Sequence, residues 1–387
     1  MKKQLLSFIK IIFIICLVIF LPKFLGNNNI VKQTAKQKSY LQPQIGIQNL
    51  INNITEDFSW IKKLNLAFVY NKSDSMKTLL ANNIRPANSY LINKKKDLSK
   101  IIEQNFAYID AILFDMTSYG LRNDLSFNCL EKLIKIAAQK NKKLIILDRP
   151  NPLGRCVEGP GFIPLKPGLT LGEMALYLNK YSVIKSADLF VVPIVKWQAD
   201  KFFVNNEDLL STKFNNLNAL QSYSFLKFLK QIKPINVGKY SDYKYQILGL
   251  PNQQELSEWE TDYLKKIFFK FGILCENYNW IDKKTNTKFN GIKIKIKKNI
   301  DSIFSFNTFL NTLRFLKNRK NIKLFYSKKL NNLIGSDVLK AFLQNFITFD
   351  QLKIKIDKDL YSFYKKAEHC FLYRPLPVIK KVELIKF

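Results

Sequence analysis

Histidine, closely spaced cysteines and acidic side chains are scarce in this sequence of 387 residues. His369 is the only histidine, which argues against histidine-based metal sites and against Ser-His-Asp catalysis. The five cysteines include no C-x-x-C pair, so no zinc ribbon is recognisable and no disulfide can be assigned. P-loop, dinucleotide-binding, nucleophile-elbow and zinc-protease motifs are absent as well. We therefore expect neither a metal nor a cofactor.

The shortage of acidic residues leaves a formal charge of +32, from 62 lysines and arginines against 30 acidic residues. One interpretation is an anionic partner, such as nucleic acid, an acidic lipid or an anionic wall polymer. The other is an AT-rich genome, since lysine, asparagine and isoleucine are abundant throughout. Because the lysines are spread over the whole chain and arginine is scarce, we favour the second interpretation and expect no nucleic-acid partner.

The N-terminal residues 1–25 are typical of an export signal. Two lysines precede an apolar run at 11–21, which is short for a transmembrane helix and suits a signal peptide. No small-x-small cleavage site follows cleanly, so a signal anchor that attaches the protein to the membrane is the alternative. Residues 26–40 are polar and predict a linker. We expect an exported protein, periplasmic or membrane-anchored, that faces the cell wall.

Between residues 41 and 200, short apolar segments alternate with segments of helical periodicity. We predict strands at 64–70, 111–114, 144–147 and 189–193, and helices at 75–82, 127–140 and 170–181. This alternation predicts an α/β domain with a mostly parallel sheet.

The pattern changes after about residue 200. Residues 291–298 alternate and predict an antiparallel strand. We also predict helices at 263–271, 306–316, 336–346 and 359–367, and a last strand at 371–373. Residues 201–387 are therefore expected to form a smaller α+β domain.

Polar residues follow three of the predicted strands, namely Asn71, Asp115 and Asp148. In open parallel sheets, ligands bind outside the carboxyl ends of the strands, so all three are site candidates. Two interpretations are open for Asp148: a catalytic or sugar-binding carboxylate, or a carboxylate that only accepts hydrogen bonds from the turn that follows. Two interpretations are also open for Arg149: it binds an anionic group of a substrate, or it forms an ion pair with Asp115 or Glu158.

The loop that begins at Asp148 contains five prolines and four glycines before residue 169, so it should hold one particular shape. Glu158 lies in this loop and is a site candidate or a solvated loop charge. Thr170 and Glu173 have the spacing of a capping box, which we favour, although a helix N-terminus also attracts anions.

Residues 148–160 (DRPNPLG-x-x-VEGP) and 164–175 (PLKPGLTLGEMA) resemble the signature of the NamZ-type exo-β-N-acetylmuramidases. Residues 115–122 are similar to that family's D-x-Q-D-x-G-x-R segment, and residues 335–373 are similar to its C-terminal domain. The resemblance implies an exported two-domain protein with a Rossmann-like N-terminal domain that holds the active site.

The implied activity is removal of N-acetylmuramic acid from the non-reducing ends of peptidoglycan fragments. The lactyl carboxylate of that sugar would bind Arg149 or Arg122. The catalytic candidates are Asp148 and Glu158. The candidates for substrate binding are Arg149, Asn151, Asp115, Arg122, Asn71, Thr170 and Glu173.

The sequence also departs from the family. Thr117 and Ser118 replace a Gln-Asp pair, and the Pro-Glu-His-Gly motif that carries the family's expected acid is missing. Residues 86–88 are the nearest match to that motif. Glycoside hydrolysis uses two carboxylates, so two functions follow. The first is a divergent muramidase-like hydrolase; the alternative is a catalytically degenerate protein that binds muropeptides or the cell wall.

Overall fold

The computed structural model describes residues 43–71, 73–103, 106–199, 213–297, 300 and 302–385. The predicted signal segment and linker lie outside these ranges, so both stay predictions. Within them, no helix is long and apolar enough to cross a membrane. In chain order the strands are β1 Leu66–Tyr70, β2 Asn88–Leu91, β3 Ala111–Asp115, β4 Lys143–Leu147, β5 Cys156–Val157, β6 Asp188–Val192, β7 Ile232–Lys233, β8 Ile247–Pro251, β9 Ile273–Ile281, β10 Lys288–Ile296, β11 Phe325–Tyr326 and β12 Val378–Ile379.

The α-helices that join these strands carry apolar residues at helical spacing, and several begin at a side-chain cap. In chain order they are α1 Gly46–Asn52, α2 Ser73–Ala81, α3 Leu98–Glu103, α4 Leu125–Lys140, α5 Leu171–Tyr181, α6 Leu217–Leu229, α7 Glu258–Lys270, α8 Ser305–Lys317, α9 Lys328–Ile334, α10 Val338–Leu343 and α11 Phe349–Ala367. Short 3-10 helices span Ser59–Lys63, Lys95–Asp97, Asn252–Gln254 and Glu368–Cys370.

Five parallel strands form the central sheet, in the order β2-β1-β3-β4-β6. β3 and β4 are buried almost throughout, because helices cover both faces of the sheet. The order reverses between β1 and β3, where Tyr70 is the register partner of Asp115. Such a switch point opens a crevice at the carboxyl edge of the sheet. The predicted Rossmann-like α/β architecture is confirmed.

The sheet separates two apolar cores, since alternate residues of each strand face opposite sides. Phe68, Leu113 and Ile145 pack beneath α1 and α2 on one side. Val69 and Ile146 pack on the other side with α4 and α5, in a core that continues through α6, α7 and α8. Residues 42–387 accordingly form one compact unit, and the domain boundary near residue 200 stays a prediction.

The C-terminal part is α+β, as predicted. β8, β10 and β9 form an antiparallel sheet, and β10 confirms the strand predicted at 291–298. The helix predicted at 359–367 begins ten residues earlier, at Phe349, because Thr348 caps it and Leu352 and Ile356 continue its buried face. Likewise α7 begins at Glu258, where Ser257 and Glu260 form a capping box.

The last strand predicted at 371–373 is wrong. The last strand of the described chain is β12, which pairs in parallel with β5 inside the proline-rich loop. Around residue 372 the backbone is hydrogen-bonded to side chains instead of a strand: Leu372 N donates to Glu173 and Tyr373 O accepts from Arg155. The end of the chain therefore returns to the carboxyl edge of the central sheet.

Gly46, the first residue of α1, lies directly against the sheet. A Cβ added there would lie 2.3 Å from Asp148 N and 2.7 Å from Val192 O. We expect Gly46→Ala to lower the free energy of unfolding by about 1–3 kcal/mol through overpacking. Urea denaturation measures this change, and Asn52→Ala at the exposed end of the same helix is the control. Equal losses in the two variants would contradict this contact.

Candidate functional site

The carboxyl edge of the central sheet holds a buried ion pair. Arg149 Nε lies 2.6 Å from Asp115 Oδ1, and Arg149 Nη2 lies 2.8 Å from Asp115 Oδ2. Both side chains are almost completely buried, and Ser75 Oγ is 3.4 Å from Nη2. The two-point geometry uses the planar fork of the guanidinium. Of the two roles open to Arg149, the structure shows the pairing with Asp115.

The switch point itself is closed by Asn71 and Thr117. Asn71 Oδ1 accepts hydrogen bonds from Thr117 N at 2.9 Å and from Thr117 Oγ1 at 3.0 Å, and Asn71 Nδ2 donates to Thr117 O at 3.2 Å. These bonds join the end of β1 to the loop that follows β3. Asn71, Asp115 and Asp148 thus all lie at the carboxyl edge, as the strand-end argument predicts, but all three are buried.

Asp148 accepts four hydrogen bonds at this edge. Its Oδ2 accepts from Tyr373 OH at 2.6 Å and Thr170 Oγ1 at 2.7 Å, and its Oδ1 accepts from Gly172 N at 2.8 Å and Arg149 N at 2.9 Å. Burial raises the pKa of Asp148 to about 6, although these donors act in the opposite direction. Asp148 therefore fastens the loop, α5 and the C-terminal segment to the end of β4.

Thr170 and Glu173 form the predicted capping box at the start of α5. Glu173 is fully buried and also makes a two-point ion pair with Arg155, whose Nη2 lies 2.9 Å from Oε1. Glu173 Oε1 also accepts a hydrogen bond from Leu372 N at 2.9 Å. Glu173 is therefore a structural carboxylate that links α5, the proline-rich loop and the C-terminal segment.

Glu158 lies apart from the Asp148 cluster, beneath the N-terminus of α8. Its Oε1 accepts from Asn307 N at 2.7 Å and Asn307 Nδ2 at 2.8 Å, and burial raises its pKa. A carboxylate in this place satisfies free N–H groups of the helix and its dipole. The solvated alternative for Glu158 is wrong, since the side chain is fully buried.

Asn151 and Arg122 shape the same loop. Asn151 Nδ2 donates to Leu169 O at 2.9 Å, and its Oδ1 accepts from Leu153 N at 2.9 Å. Arg122 donates to the backbone carbonyls of Ile163 and Ile334, so it joins the loop to the end of α9. The guanidinium of Arg122 and the amide of Asn151 are therefore both hydrogen-bonded to the backbone.

The sequence analysis missed β2 and the loop that follows it. β2 is an edge strand of four residues with one buried position, so it lacks the apolar run by which the other strands were predicted. Residues 86–88 lie at its amino end, away from the carboxyl edge, and are therefore wrongly placed for a motif at the site. The carboxyl edge is reached instead by residues 93–97. Asp97 accepts from Asn93 N and Lys94 N, and these hydrogen bonds lower its pKa.

A cleft of about 350 Å³ opens between this loop, α4, α6 and α9. We call it the lysine cleft, because Lys95, Lys227, Lys230 and Lys329 line it. Its other lining residues are Asn123, Asn128, Tyr223, Gln231, Asn332 and Leu333. Among the residues the structure describes, no carboxylate lines the cleft. The only sequence feature that could have indicated this cleft is the lysine run after β2, and such a run is inconspicuous in a lysine-rich chain.

Comparison with known proteins finds similar sequences and similar structures. Residues 82–220 match the family model described as exo-β-N-acetylmuramidase NamZ, N-terminal. The chain is 21% identical over 285 residues to the peptidoglycan β-N-acetylmuramidase NamZ of Bacillus subtilis, which covers 68% of each chain. Two crystal structures of DUF1343 family proteins from Bacteroides fragilis superpose with TM-scores of 0.68 and 0.61, at 18% and 19% identity. Each alignment covers 86% of this chain and 99% of the other, and it shows the shared fold.

Removing Arg149 should leave the carboxylate of Asp115 buried without its ion pair. We expect Arg149→Met to lower the free energy of unfolding by about 3–5 kcal/mol, and the double variant Asp115→Asn/Arg149→Met to recover part of that loss. Urea unfolding measures both. The exposed pair Lys283–Asp242 is the control, since Lys283→Met should cost less than about 1 kcal/mol. A double variant as unstable as the sum of the single variants would contradict this coupling.

Asp148 should give the unfolding free energy a characteristic pH dependence. Its folded pKa of about 6 lies above the ordinary value of 3.8, so the folded state binds the extra proton between these values. The stability from this group is therefore complete below pH 4 and is lost as the pH rises through 6, by about 3 kcal/mol. Relative to the wild type, Asp148→Asn should become more stable by that amount between pH 4 and pH 7. Parallel stability curves for the two proteins would refute the assignment.

Proposed function

We propose that this chain is a divergent member of the NamZ family of exo-β-N-acetylmuramidases and acts as a muramidase-like glycoside hydrolase. Its substrates would be peptidoglycan fragments that end in a non-reducing N-acetylmuramic acid. The observation that carries the proposal is the family match over residues 82–220, which include β2 to β6 and the whole loop from Asp148 to Thr170. This loop is held at the edge of the sheet where α/β enzymes bind ligands.

The buried network supports the proposal by making the edge rigid. Asp148, Asp115 and Glu173 each hold two or more elements together, so the loop and the ends of β1, β3 and β4 have one arrangement. A site on such a frame can position a sugar without ordering flexible segments during the reaction. In this reading Arg149 and Asn151 act by shaping the surface that meets the substrate.

Three carboxylates of the described chain are candidates for the acid and the base. Asp148 has the proton affinity that a general acid needs near neutral pH, since its pKa is about 6. Asp148 and Glu158 are both fully buried, so neither side chain is exposed to solvent at the edge. Asp97 lies at the same edge in the loop after β2, was not predicted from the sequence, and is partly exposed. These three carboxylates are the catalytic candidates.

The test of the proposal is release of N-acetylmuramic acid from MurNAc–GlcNAc or from a chromogenic muramide. The Bacillus subtilis relative serves as the positive control. We expect release by the wild type, and a loss of about 10²–10⁴-fold in kcat when the catalytic carboxylate is replaced in Asp97→Asn, Asp148→Asn or Glu158→Gln. Thermal unfolding of each variant separates loss of catalysis from loss of fold. No release above background at high enzyme concentration between pH 4 and pH 9 would reject hydrolysis.

A binding protein is the second candidate function. It is favoured by one observation, the absence of any carboxylate among the described residues that line the lysine cleft. A degenerate homologue would keep the loop and bind muropeptides without cleaving them. Calorimetry with MurNAc-terminated fragments distinguishes the two functions, since saturable binding without product release indicates the second.

We further propose that the protein is exported and faces the cell wall. The basic and apolar pattern of residues 1–25 supports this, as does a substrate that lies outside the cytoplasm. A fusion of residues 1–40 to alkaline phosphatase without its own signal should be active only if it is exported. An inactive fusion that accumulates in the cytoplasm would reject export.

A further inference from the structure

The lysine cleft gathers cations from three separate parts of the chain. Lys95 follows β2, Lys227 and Lys230 lie at the end of α6, and Lys329 lies in the first turn of α9. None of the four makes an ion pair with a carboxylate in the part of the chain that the structure describes. Four like charges around one volume repel one another unless an anion joins them.

Lys227 is the strongest sign that the cleft is built for a ligand. The residue is 5% exposed, and its Nζ makes no hydrogen bond or ion pair to a described residue, although the side chain lines the cleft. Its contacts are with the rings of Phe228 at 5.4 Å and Tyr223 at 5.9 Å. Burying an unpaired ammonium is costly, and burial accordingly lowers the pKa of Lys227 to about 8.

The acidic group whose charge acts on Lys227 does not neutralise it. Asp124 attracts Lys227 only at a distance, since it is already the N-cap of α4. Its Oδ1 accepts from Phe127 N at 2.7 Å, and its Oδ2 accepts from Ser118 Oγ at 2.6 Å. All its strong acceptor positions face these donors and not the cleft.

Helix dipoles explain only part of the arrangement. Lys227 and Lys230 are near the C-terminus of α6, where a positive charge is favourable. Lys329 is in the first turn of α9, where a positive charge is unfavourable. Tyr223, Lys227 and Lys230 are spaced so that one face of α6 presents them together. The side-chain amides of Asn123, Asn128 and Gln231 also line the cleft, and each uses one of its two N–H groups to donate to a backbone carbonyl.

We propose that the lysine cleft binds an oxyanion that carries two or more negative charges, as a phosphate or a carboxylate. The cleft volume admits a small molecule or the charged end of a larger one. The ammonium groups supply charge, while the amides and Tyr223 supply orientation. The inference does not rest on the proposed glycosidase activity and survives its failure.

The experiment uses the full chain with pyrophosphate and citrate as separate probes, followed by calorimetry and thermal unfolding. About 0.15 M salt screens general attraction by the large net charge. We expect one saturable site per chain and a higher unfolding temperature with at least one probe. A preference for pyrophosphate identifies a phosphate ligand, a preference for citrate identifies a carboxylate ligand, and equal binding supports the shared oxyanion chemistry. Binding of neither probe at low millimolar concentration would overturn the proposal.

Two cleft variants and one matched control locate the site. Lys227→Met should weaken binding by about tenfold or more, and it should raise the unfolding temperature of the free protein by roughly 2 °C, because it removes an unpaired buried charge. Lys95→Gln, on the exposed rim, should weaken binding by about threefold without changing the fold. Lys288→Gln, an exposed lysine on β10, should leave binding unchanged. Equal losses in Lys95→Gln and Lys288→Gln would mean binding by net charge alone and would reject the site.

Discussion

The carboxylate of Asp148 is the group on which the candidate site depends. It stands at the end of β4 and accepts four hydrogen bonds, from Arg149, Thr170, Gly172 and Tyr373. Those four donors belong to the loop, to α5 and to the C-terminal segment. A buried carboxylate with every acceptor position filled tolerates little displacement, since each lost hydrogen bond would leave a buried polar group unsatisfied. The arrangement of three distant segments therefore follows from one side chain.

The same principle extends from Asp148 across the edge. Glu173 joins α5 to Arg155 and Leu372, Asp115 joins the end of β3 to Arg149, and Asn71 joins the end of β1 to Thr117. Charged groups buried in this way are weak contributors to net stability but fix a unique geometry when every partner is present. The carboxyl edge of the sheet is thus held rigidly, as in an active site, and the lysine cleft lies beside it.

The strand-end residues could be predicted because the signal is local. A short apolar run followed by a polar residue indicates a strand and its exit, and Asn71, Asp115 and Asp148 all lie at the carboxyl edge. The capping box at Thr170 could be predicted for the same reason. β2 could not be predicted, because an edge strand with one buried position has no such run. The loop that follows β2 was therefore missed as well. The strand expected at 371–373 failed because side chains, and not a neighbouring strand, bind that backbone.

By itself, the sequence determined the parallel α/β architecture, the resemblance to one family and the set of polar residues at the strand ends, because periodicity and short motifs are properties of neighbouring residues. Only the tertiary structure decided what those residues do. It paired Arg149 with Asp115, placed Glu158 beneath α8, and enclosed Asp148 with donors from segments up to the C-terminal region. It alone brought Lys95, Lys227 and Lys329 to one cleft, since burial and ion pairing depend on contacts between segments that are far apart in the chain.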